Sequence, residues 1–452
     1  MDWEWFGLNE RNLVSAVTII GIAALTNVAC AVIGCYLVLR RMSLLGDAIA
    51  HAVLPGLVVA FLLGGTLSLP VLFLGAVAVG VLTAALTQTL HRFGGVSEDA
   101  SMGVVFTSLF ALGVVLIKYH GPSIDLDPDC VLSGLLELAD DNLVSLGGLE
   151  IPRGLVTVLP VLAINLAFIG IFWKELLVAS FDPAFGASLG FRPILLHYVL
   201  MALVALTTVA SFEQVGSILV IAMLVLPGAT ANLLADRLGP MLVLASLCAA
   251  LAAPIGFVLA LWWDVNIAGA MTLVVGVLYL LAACFGPEHG LLSRLIRQAT
   301  LRVRILAEDI LGILFRAEET VPGQPVAIES LRQQLAAGPS FWLALRWLVH
   351  RGWVRREGKQ LWLLPAGLEH ARGLIRSHRL WETFEVVELG RDEERVHDSA
   401  MRVEHFLSPS LQAEISATVG DVAKDPHGKG IPQTSLETSQ APRPSASEVA
   451  EG

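Results

Sequence analysis

The sequence predicts an all-α polytopic membrane protein that ends in a smaller soluble domain. Hydrophobic residues make up 55% of the 452 residues, and the mean hydropathy of +0.71 is far above that of a soluble globular chain. Charge is concentrated at one end, because residues 1–285 contain 9 Lys/Arg and 18 Asp/Glu whereas residues 286–452 contain 20 and 22. The first part is therefore read as a membrane domain, and the net charge of −11 gives no nucleic-acid footprint.

Nine apolar runs are long enough to cross a bilayer. They lie at about 13–39, 44–63, 70–90, 102–117, 154–173, 194–211, 216–235, 241–262 and 267–285. The Pro/Gly-interrupted stretch at 226–228 reduces the count to eight if it is kinked or re-entrant. An outside N-terminus leaves most basic loop residues in the cytoplasm, so we expect a multi-pass protein of the cell (inner) membrane with a cytoplasmic C-terminal domain.

An aspartate and a histidine, Asp47 and His51, lie within the second apolar run. Their i,i+4 spacing puts both side chains on one face of a helix, one turn apart. Each ionisable group costs roughly 2.5 kcal/mol or more at the centre of a bilayer, so the pair is expected to serve a purpose there. A carboxylate beside an imidazole suits a divalent transition metal. The alternative is a buried pair that only ties two helices together.

The predicted inner loop at 181–190 is typical of a short amphipathic helix that ends at a glycine. Such a helix on the inner membrane surface is what a permease presses against a cytoplasmic motor. The chain contains no Gly-x-x-x-x-Gly-Lys-Ser/Thr loop for binding ATP phosphates. We therefore expect a transport subunit without an ATP site, with any ATP hydrolysis on a separate polypeptide.

The soluble third has the element order of a winged helix. Helices are expected at 307–319, 328–336 and 340–351, strands at 353–356 and 361–364, and further helices at 365–389, 391–406 and 411–419. The Pro/Ser/Glu/Thr-rich end is expected to be disordered. The predicted division is a membrane domain at 1–285, a linker at 286–306, a winged-helix-like domain at 307–364, a helical domain at 365–432 and a tail at 433–452.

The helical domain carries a second set of potential metal ligands. His378 and Glu382 are four residues apart on one predicted helix. The next helix presents further candidates at helical spacings, namely His397, Met401, Glu404 and His405. Two facing helices that supply His, Glu and Met can form a metal site. Any one of these residues is common on a surface helix, so the combination carries the prediction.

The membrane part resembles the permeases of manganese, zinc and iron ABC importers over about 13–285. The matching segments are 40–56, 97–103, 181–190 and 216–231, and segment 126–132 is closer to the manganese/iron branch than to the zinc branch. The resemblance implies that Asp47 and His51 bind metal on the translocation path. It also implies a coupling helix within 181–190, whose marked residues are Phe181, Asp182, Pro183, Ala184, Phe185, Gly186 and Gly190.

The same resemblance implies a substrate and a set of partners. The substrate is a divalent transition metal, with Mn²⁺ or Fe²⁺ favoured over Zn²⁺. The partners are a separate ATP-binding subunit, a second permease subunit that is either identical or a paralogue, and an extracytoplasmic metal-binding solute-binding protein.

From about 306 to 432 the chain resembles metal-dependent repressors related to the diphtheria toxin repressor. The matching segments are 365–367, 377–382, 396–405 and 425–432. One implied metal site consists of Met401, Glu404 and His405, with Asp309 as a fourth ligand. The other consists of His378, Glu382 and His397. The soluble part is thus expected to be a winged helix followed by a helical metal-binding and dimerisation domain.

The predicted recognition helix departs from that repressor family. It reads Gly-Pro-Ser-Phe-Trp-Leu-Ala-Leu-Arg-Trp-Leu-Val over 338–349, and such bulky apolar groups hydrogen-bond base edges poorly. We therefore expect this surface to contact protein, either the permease or its ATPase, and not DNA.

These features favour the permease subunit of an ATP-driven metal importer with a fused cytoplasmic metal-sensing domain that regulates uptake. Two alternatives stay open. One is a membrane-tethered metal-responsive transcriptional repressor, and the other is an ion-coupled secondary metal transporter.

Overall fold

The computed structural model describes residues 10–64, 69–120, 136, 143–146, 149–336, 338–420 and 422–433. The chain divides into two compact units, Met1–Arg294 and Leu295–Gly452. Segment 126–132 and nearly all of the tail at 433–452 lie outside the described residues.

Long apolar helices make up most of the first unit. They are α1 (Glu10–Leu39), α2 (Leu45–Gly64), α3 (Leu69–Gly94), α4 (Glu98–His120), α5 (Arg153–Ile171), α6 (Trp173–Phe181), α7 (Pro183–Ser188), α8 (Pro193–Leu234), α9 (Leu238–Trp263) and α10 (Ile267–Phe285). An antiparallel hairpin of β1 (Leu143–Leu146) and β2 (Leu149–Pro152) precedes α5. Nine stretches of the described residues are long and apolar enough to cross a membrane, as the sequence predicts.

The break in the seventh predicted span lies ten residues earlier than the sequence suggested. Helix α8 is interrupted at Gly216, whose φ of 77° and ψ of 166° are not helical, whereas Pro227 lies inside the following helical stretch. This backbone conformation is essentially restricted to glycine. Gly216 therefore lets two spans, Pro193–Phe212 and Gln214–Leu234, follow each other almost without a loop.

Glycines allow close backbone approach where helices of the first unit cross. A Cβ added at Gly34 of α1 would lie 2.0 Å from the carbonyl oxygen of Leu224 in α8. A Cβ at Gly56 of α2 would lie 2.5 Å from the carbonyl oxygen of Gly75 in α3. Helices in a membrane associate largely through van der Waals packing, and small residues at the crossings permit it.

Polar side chains also join these helices. The Asn165 amide of α5 donates to Oγ1 of Thr207 in α8 at 2.8 Å, and both residues are buried. Cys30 Sγ of α1 lies 3.4 Å from Ser211 Oγ, also in α8. Such interhelical hydrogen bonds contribute about 0.6 kcal/mol each on average in membrane proteins.

The winged-helix order is present in the second unit. Its elements are α11 (Leu291–Thr320), β3 (Val326–Ala327), α12 (Ile328–Gln334), α13 (Ser340–His350), β4 (Val354–Glu357) and β5 (Gln360–Leu363). Strand β5 lies between β3 and β4 in an antiparallel sheet. The sequence did not predict the two-residue strand β3, and α11 begins earlier than expected, so most of 286–306 is helical.

The remaining elements are α14 (Pro365–Val387), α15 (Glu393–Val403), a 3-10 turn (Glu404–Phe406) and α16 (Pro409–Val419). Helix α14 starts against the sheet, since a Cβ added at Gly367 would lie 2.2 Å from the carbonyl oxygen of Trp353. The segment after α16 packs back on α14, where Arg379 donates to the carbonyl oxygen of Gly430 and Arg376 to that of Pro432.

Candidate metal centres

Helix α2 brings Asp47 and His51 together as their spacing predicts. His51 Nε2 lies 3.3 Å from Asp47 Oδ1, and the two side chains are 46% and 37% exposed. The imidazole lies between two rings of α4, 5.9 Å from Phe106 and 6.0 Å from Phe110 between centroids. The pair is therefore held on one side by aromatic groups while its polar atoms remain accessible.

Pro55 lies one turn beyond His51 in the same helix. Proline has no N–H, so the backbone carbonyl of residue i−4, here His51, lacks its usual intrahelical donor. The α2 turn thus offers a carboxylate, an imidazole and an oxygen without its usual intrahelical bond within one stretch of an apolar helix.

The predicted amphipathic helix between spans is α7. It is shorter than the range 181–190, because Asp182 caps it by accepting from the Phe185 N–H at 2.9 Å and it ends at Ser188. Gly190 follows with a φ of 86°, as expected for a glycine that ends a helix. Phe181, Phe185 and Leu189 are 63%, 54% and 52% exposed, so the segment presents an apolar ridge.

In the second unit, His378, Glu382 and His397 converge on one point. His378 Nε2 and His397 Nδ1 lie 3.0 Å and 2.9 Å from Glu382 Oε1, and 3.1 Å from each other. Helix α14 supplies the first two residues and α15 the third. Burial alone would raise the pKa of Glu382, but the hydrogen bonds from His378 and His397 lower it to about 2. The group is thus a permanently charged carboxylate between two imidazoles.

A second group consists of Asp309, Glu404 and His405. His405 Nε2 lies 3.3 Å from Asp309 Oδ1 and 3.7 Å from Glu404 Oε1. Burial lowers the pKa of His405, but hydrogen bonds with Asp309 and Glu308 outweigh it and raise that pKa to about 9. Met401, the remaining candidate, lies one turn before His405 with 43% of its surface exposed.

Glu404 touches both groups. Its Oε2 accepts from His378 Nδ1 at 2.5 Å, while its Oε1 faces His405. Burial tends to lower the pKa of His378, but the carboxylates of Glu382 and Glu404 raise it above its ordinary value. A carboxylate behind an imidazole fixes the ring orientation and the tautomer, which is the usual second layer of a metal site.

Two contributors were missed by reasoning from the sequence. Glu308 is buried, with only 3% exposed, and accepts from His405 Nδ1 and Arg304 Nε, both at 2.8 Å. These hydrogen bonds, with one from His370, bring the pKa of Glu308 far below its ordinary value against the effect of burial. His427 Nε2 lies 3.7 Å from Glu382 Oε1. The i,i+4 spacing of Arg304 and Glu308 was the only signal available for the first, and none pointed to His427.

The residues of both groups fit a divalent transition metal. Imidazole nitrogens and carboxylate oxygens are the donors that Mn, Fe and Zn accept. In each group the donor atoms come from different elements and lie within 4.8 Å of one another. Bound there, such a metal would supply a charge that replaces the protons now shared between these groups.

Comparison with known proteins agrees with this division of the chain. Residues 12–286 match the model of the ABC 3 transport family, and residues 364–433 match that of the iron dependent repressor, metal binding and dimerisation domain. The chain is 45% identical over 280 residues to the manganese transport system membrane protein MntD of Bacillus subtilis, covering 62% of this chain and 95% of MntD. It is 39% identical over 358 residues to the zinc transport system membrane protein TroD of Treponema pallidum, covering 78% of this chain and 97% of TroD.

A solved structure shows the same membrane fold. PsaBC from Streptococcus pneumoniae in complex with Fab aligns over 60% of this chain and 91% of the solved chain, with a TM-score of 0.50 and 32% identity. The family model covers more than half of the chain, and the described part contains the expected spans. The chain therefore belongs to the ABC 3 transport family, as a multi-pass membrane permease and not an enzyme, and it carries a repressor-like metal-binding domain at its C-terminal end.

Proposed function

We propose that this chain is the permease subunit of an ATP-driven importer of a divalent transition metal, with Mn²⁺ or Fe²⁺ preferred and Zn²⁺ accepted. The observation that carries the proposal is the pairing of Asp47 and His51 at 3.3 Å inside an apolar span. Relatives named as manganese, zinc and chelated iron transport system membrane proteins support the substrate class.

The pair suits a transport site more than a storage site. The Asp47 carboxylate supplies a negative charge that offsets the loss of hydration, and the His51 imidazole supplies a neutral nitrogen ligand. Two side-chain ligands leave most coordination positions to water or to further groups on the path. The cation is therefore held weakly enough to leave again, as transport requires.

ATP hydrolysis belongs to a separate subunit in this proposal. The apolar ridge of α7, formed by Phe181, Phe185 and Leu189, is the coupling surface for that subunit. The permease pairs with a second permease subunit and receives metal from an extracytoplasmic solute-binding protein. The N-terminus lies outside, and the C-terminal domain lies in the cytoplasm.

The C-terminal domain senses imported metal and regulates uptake. Support comes from the two converging ligand groups, His378–Glu382–His397 and Asp309–Glu404–His405, with Met401 beside the second. They lie in a unit separate from Asp47 and His51, so one chain holds both a substrate site and sensor sites for the same class of ion.

Uptake of radioactive Mn²⁺ in cells that also express the partner ATPase tests the transport half. Asp47→Asn with His51→Ala removes the charge and the nitrogen ligand while changing the helix little. We expect uptake to fall at least about tenfold, the lower end of what losing metal-site groups costs. His91→Gln is the matched control, because His91 is an exposed histidine at the end of α3 that bonds the Val96 carbonyl. Unchanged uptake in the double variant, at equal protein level, would refute the transport site.

A further inference from the structure

The outward face of α13 is apolar where a DNA-reading helix would be polar. Phe341, Ala344, Leu345 and Leu348 are buried in the core of the second unit. Trp342, Leu343 and Val349, on the opposite side, are 44%, 61% and 41% exposed. Arg346 and His350 share this side at helical spacing and are exposed as well.

Basic residues surround this apolar centre. Segment 340–363, which contains α13, β4 and β5, holds five Lys/Arg and one Asp/Glu, in a chain whose net charge is −11. Arginines lie over tryptophan rings across the segment, with Arg356 5.6 Å from Trp342, Arg355 5.9 Å from Trp362 and Arg351 5.1 Å from Trp347. The Arg356–Trp342 contact joins the helix and the wing into one surface.

We propose that this α13–wing face, formed by Trp342, Leu343, Arg346, Val349 and Arg356, binds the anionic lipid surface of the membrane that the chain spans. Tryptophan concentrates at the headgroup level of bilayers, because its ring is apolar and its N–H is polar. Exposed Leu and Val beside it reach the acyl boundary, while arginines pair with headgroup phosphates. The mixture of basic and aromatic groups matches that interface in both polarity and charge.

The composition of the face favours lipid over the other partners that a winged helix meets. Sequence-specific DNA binding needs polar side chains aimed at base edges, and the centre of this face is Trp, Leu and Val. A protein partner would have to be recruited, whereas a lipid surface is always present beside a chain anchored by its own spans. Anchoring raises the effective concentration of the surface, so modest affinity is sufficient. The inference holds whichever metal is transported.

Depth-sensitive spin labelling of the full chain in nanodiscs tests the proposal. A nitroxide is placed at Leu343→Cys, with native cysteines replaced, and its collisions with oxygen and with a water-soluble nickel complex are measured. In nanodiscs containing phosphatidylglycerol we expect nickel collisions to fall severalfold and oxygen collisions to rise, relative to pure phosphatidylcholine. Arg346→Gln with Arg356→Gln should remove this dependence on anionic lipid. A label at Glu414→Cys, an exposed position of α16, should stay accessible to nickel in both lipids.

Other outcomes overturn the proposal. A fall in both collision rates indicates cover by protein, and free nickel access in both lipids indicates an open face. Protection of the label by duplex DNA in nanodiscs of pure phosphatidylcholine would instead restore the repressor interpretation. Should cysteine replacement prevent folding, quenching of native tryptophans by brominated phosphatidylglycerol answers the same question. Quenching equal in the native chain and in Arg346→Gln with Arg356→Gln would then refute the lipid contact.

Discussion

Glu404 is the residue on which the two ligand groups of the C-terminal domain depend jointly. One of its oxygens accepts from His378 at 2.5 Å and the other faces His405 at 3.7 Å. Asp309, by contrast, contacts only His405 among the proposed ligands for which a contact is described, at 3.3 Å. A change at Glu404 therefore reaches both groups, whereas a change at Asp309 stays within one.

Glu404→Gln keeps the size of the side chain and removes its charge. We expect both metal-binding events of the C-terminal domain to weaken by about 10- to 100-fold, the usual cost of losing an outer carboxylate behind a ligating histidine. Asp309→Asn should weaken one event and spare the other. Calorimetric titration of the full chain with Mn²⁺, in an Asp47→Asn background that removes the transport site, separates the events. Loss of a single event in Glu404→Gln would show that the two groups are not joined.

Glu308 positions His405 without facing the ligand group itself. It accepts from His405 Nδ1 at 2.8 Å, which directs Nε2 toward Asp309 and Glu404. Glu308→Gln is expected to weaken Mn²⁺ binding about tenfold, because an amide no longer fixes the tautomer. Glu369→Gln is the control, since Glu369 is a half-exposed carboxylate paired with Arg372 on the nearby helix. Equal affinities in both variants would mean that Glu308 serves only the fold.

The residue pattern that the sequence revealed was local. His378 and Glu382 are four residues apart, and helical spacing alone predicts that they meet. The contact of Glu308 with His405 joins residues 97 positions apart, so it depends on how α11 packs against the 3-10 turn at Glu404–Phe406. A buried carboxylate requires charged partners, but the sequence does not reveal which of many carboxylates will be buried.

At the scale of elements, the location of the break in α8 was the main surprise. Proline and glycine at 226–228 suggested a kink, yet proline is tolerated inside membrane helices and Gly216 carries the non-helical backbone instead. Many glycines occur in these spans, and sequence does not distinguish one that turns the chain from one that admits a neighbouring helix. Packing decides between the two uses.

Gly34 is a glycine of the second kind. Gly34→Ala would place a Cβ 2.0 Å from the Leu224 carbonyl oxygen, so α1 and α8 must separate. Overpacking of this kind costs about 1–3 kcal/mol, and we expect a clear fall in the thermal midpoint of the detergent-solubilised chain. Gly21→Ala in the same helix has no atom within 4 Å of the new Cβ. It should leave the midpoint unchanged or raise it slightly, because alanine is the better helix former. Equal midpoints for the two variants would contradict the close crossing.

At the scale of the whole molecule, composition alone separated a permease from a soluble domain. The shift in charge density and hydropathy near residue 285 anticipated the division into Met1–Arg294 and Leu295–Gly452. The consequence of joining the two units was not visible in either part. A substrate site and sensor sites for the same ions occur in one chain, so the sensor is present in fixed ratio to the transporter.

That fixed ratio leads to a prediction about uptake over time. If the C-terminal domain regulates import, initial uptake of Mn²⁺ should be slower in cells or vesicles preloaded with Mn²⁺ than in depleted ones. His378→Gln with His405→Gln should keep the depleted rate and lose the slowing, because the sensor groups lose ligands while Asp47 and His51 are intact. A coupling free energy of 1–3 kcal/mol, typical of regulated proteins, corresponds to a change of roughly 5- to 150-fold in the wild type. Glu414→Gln, an exposed carboxylate of α16, should behave as the wild type. Slowing that persists in the double variant would assign the feedback to another component, and a fall in the depleted rate would show that the domain is needed for transport itself.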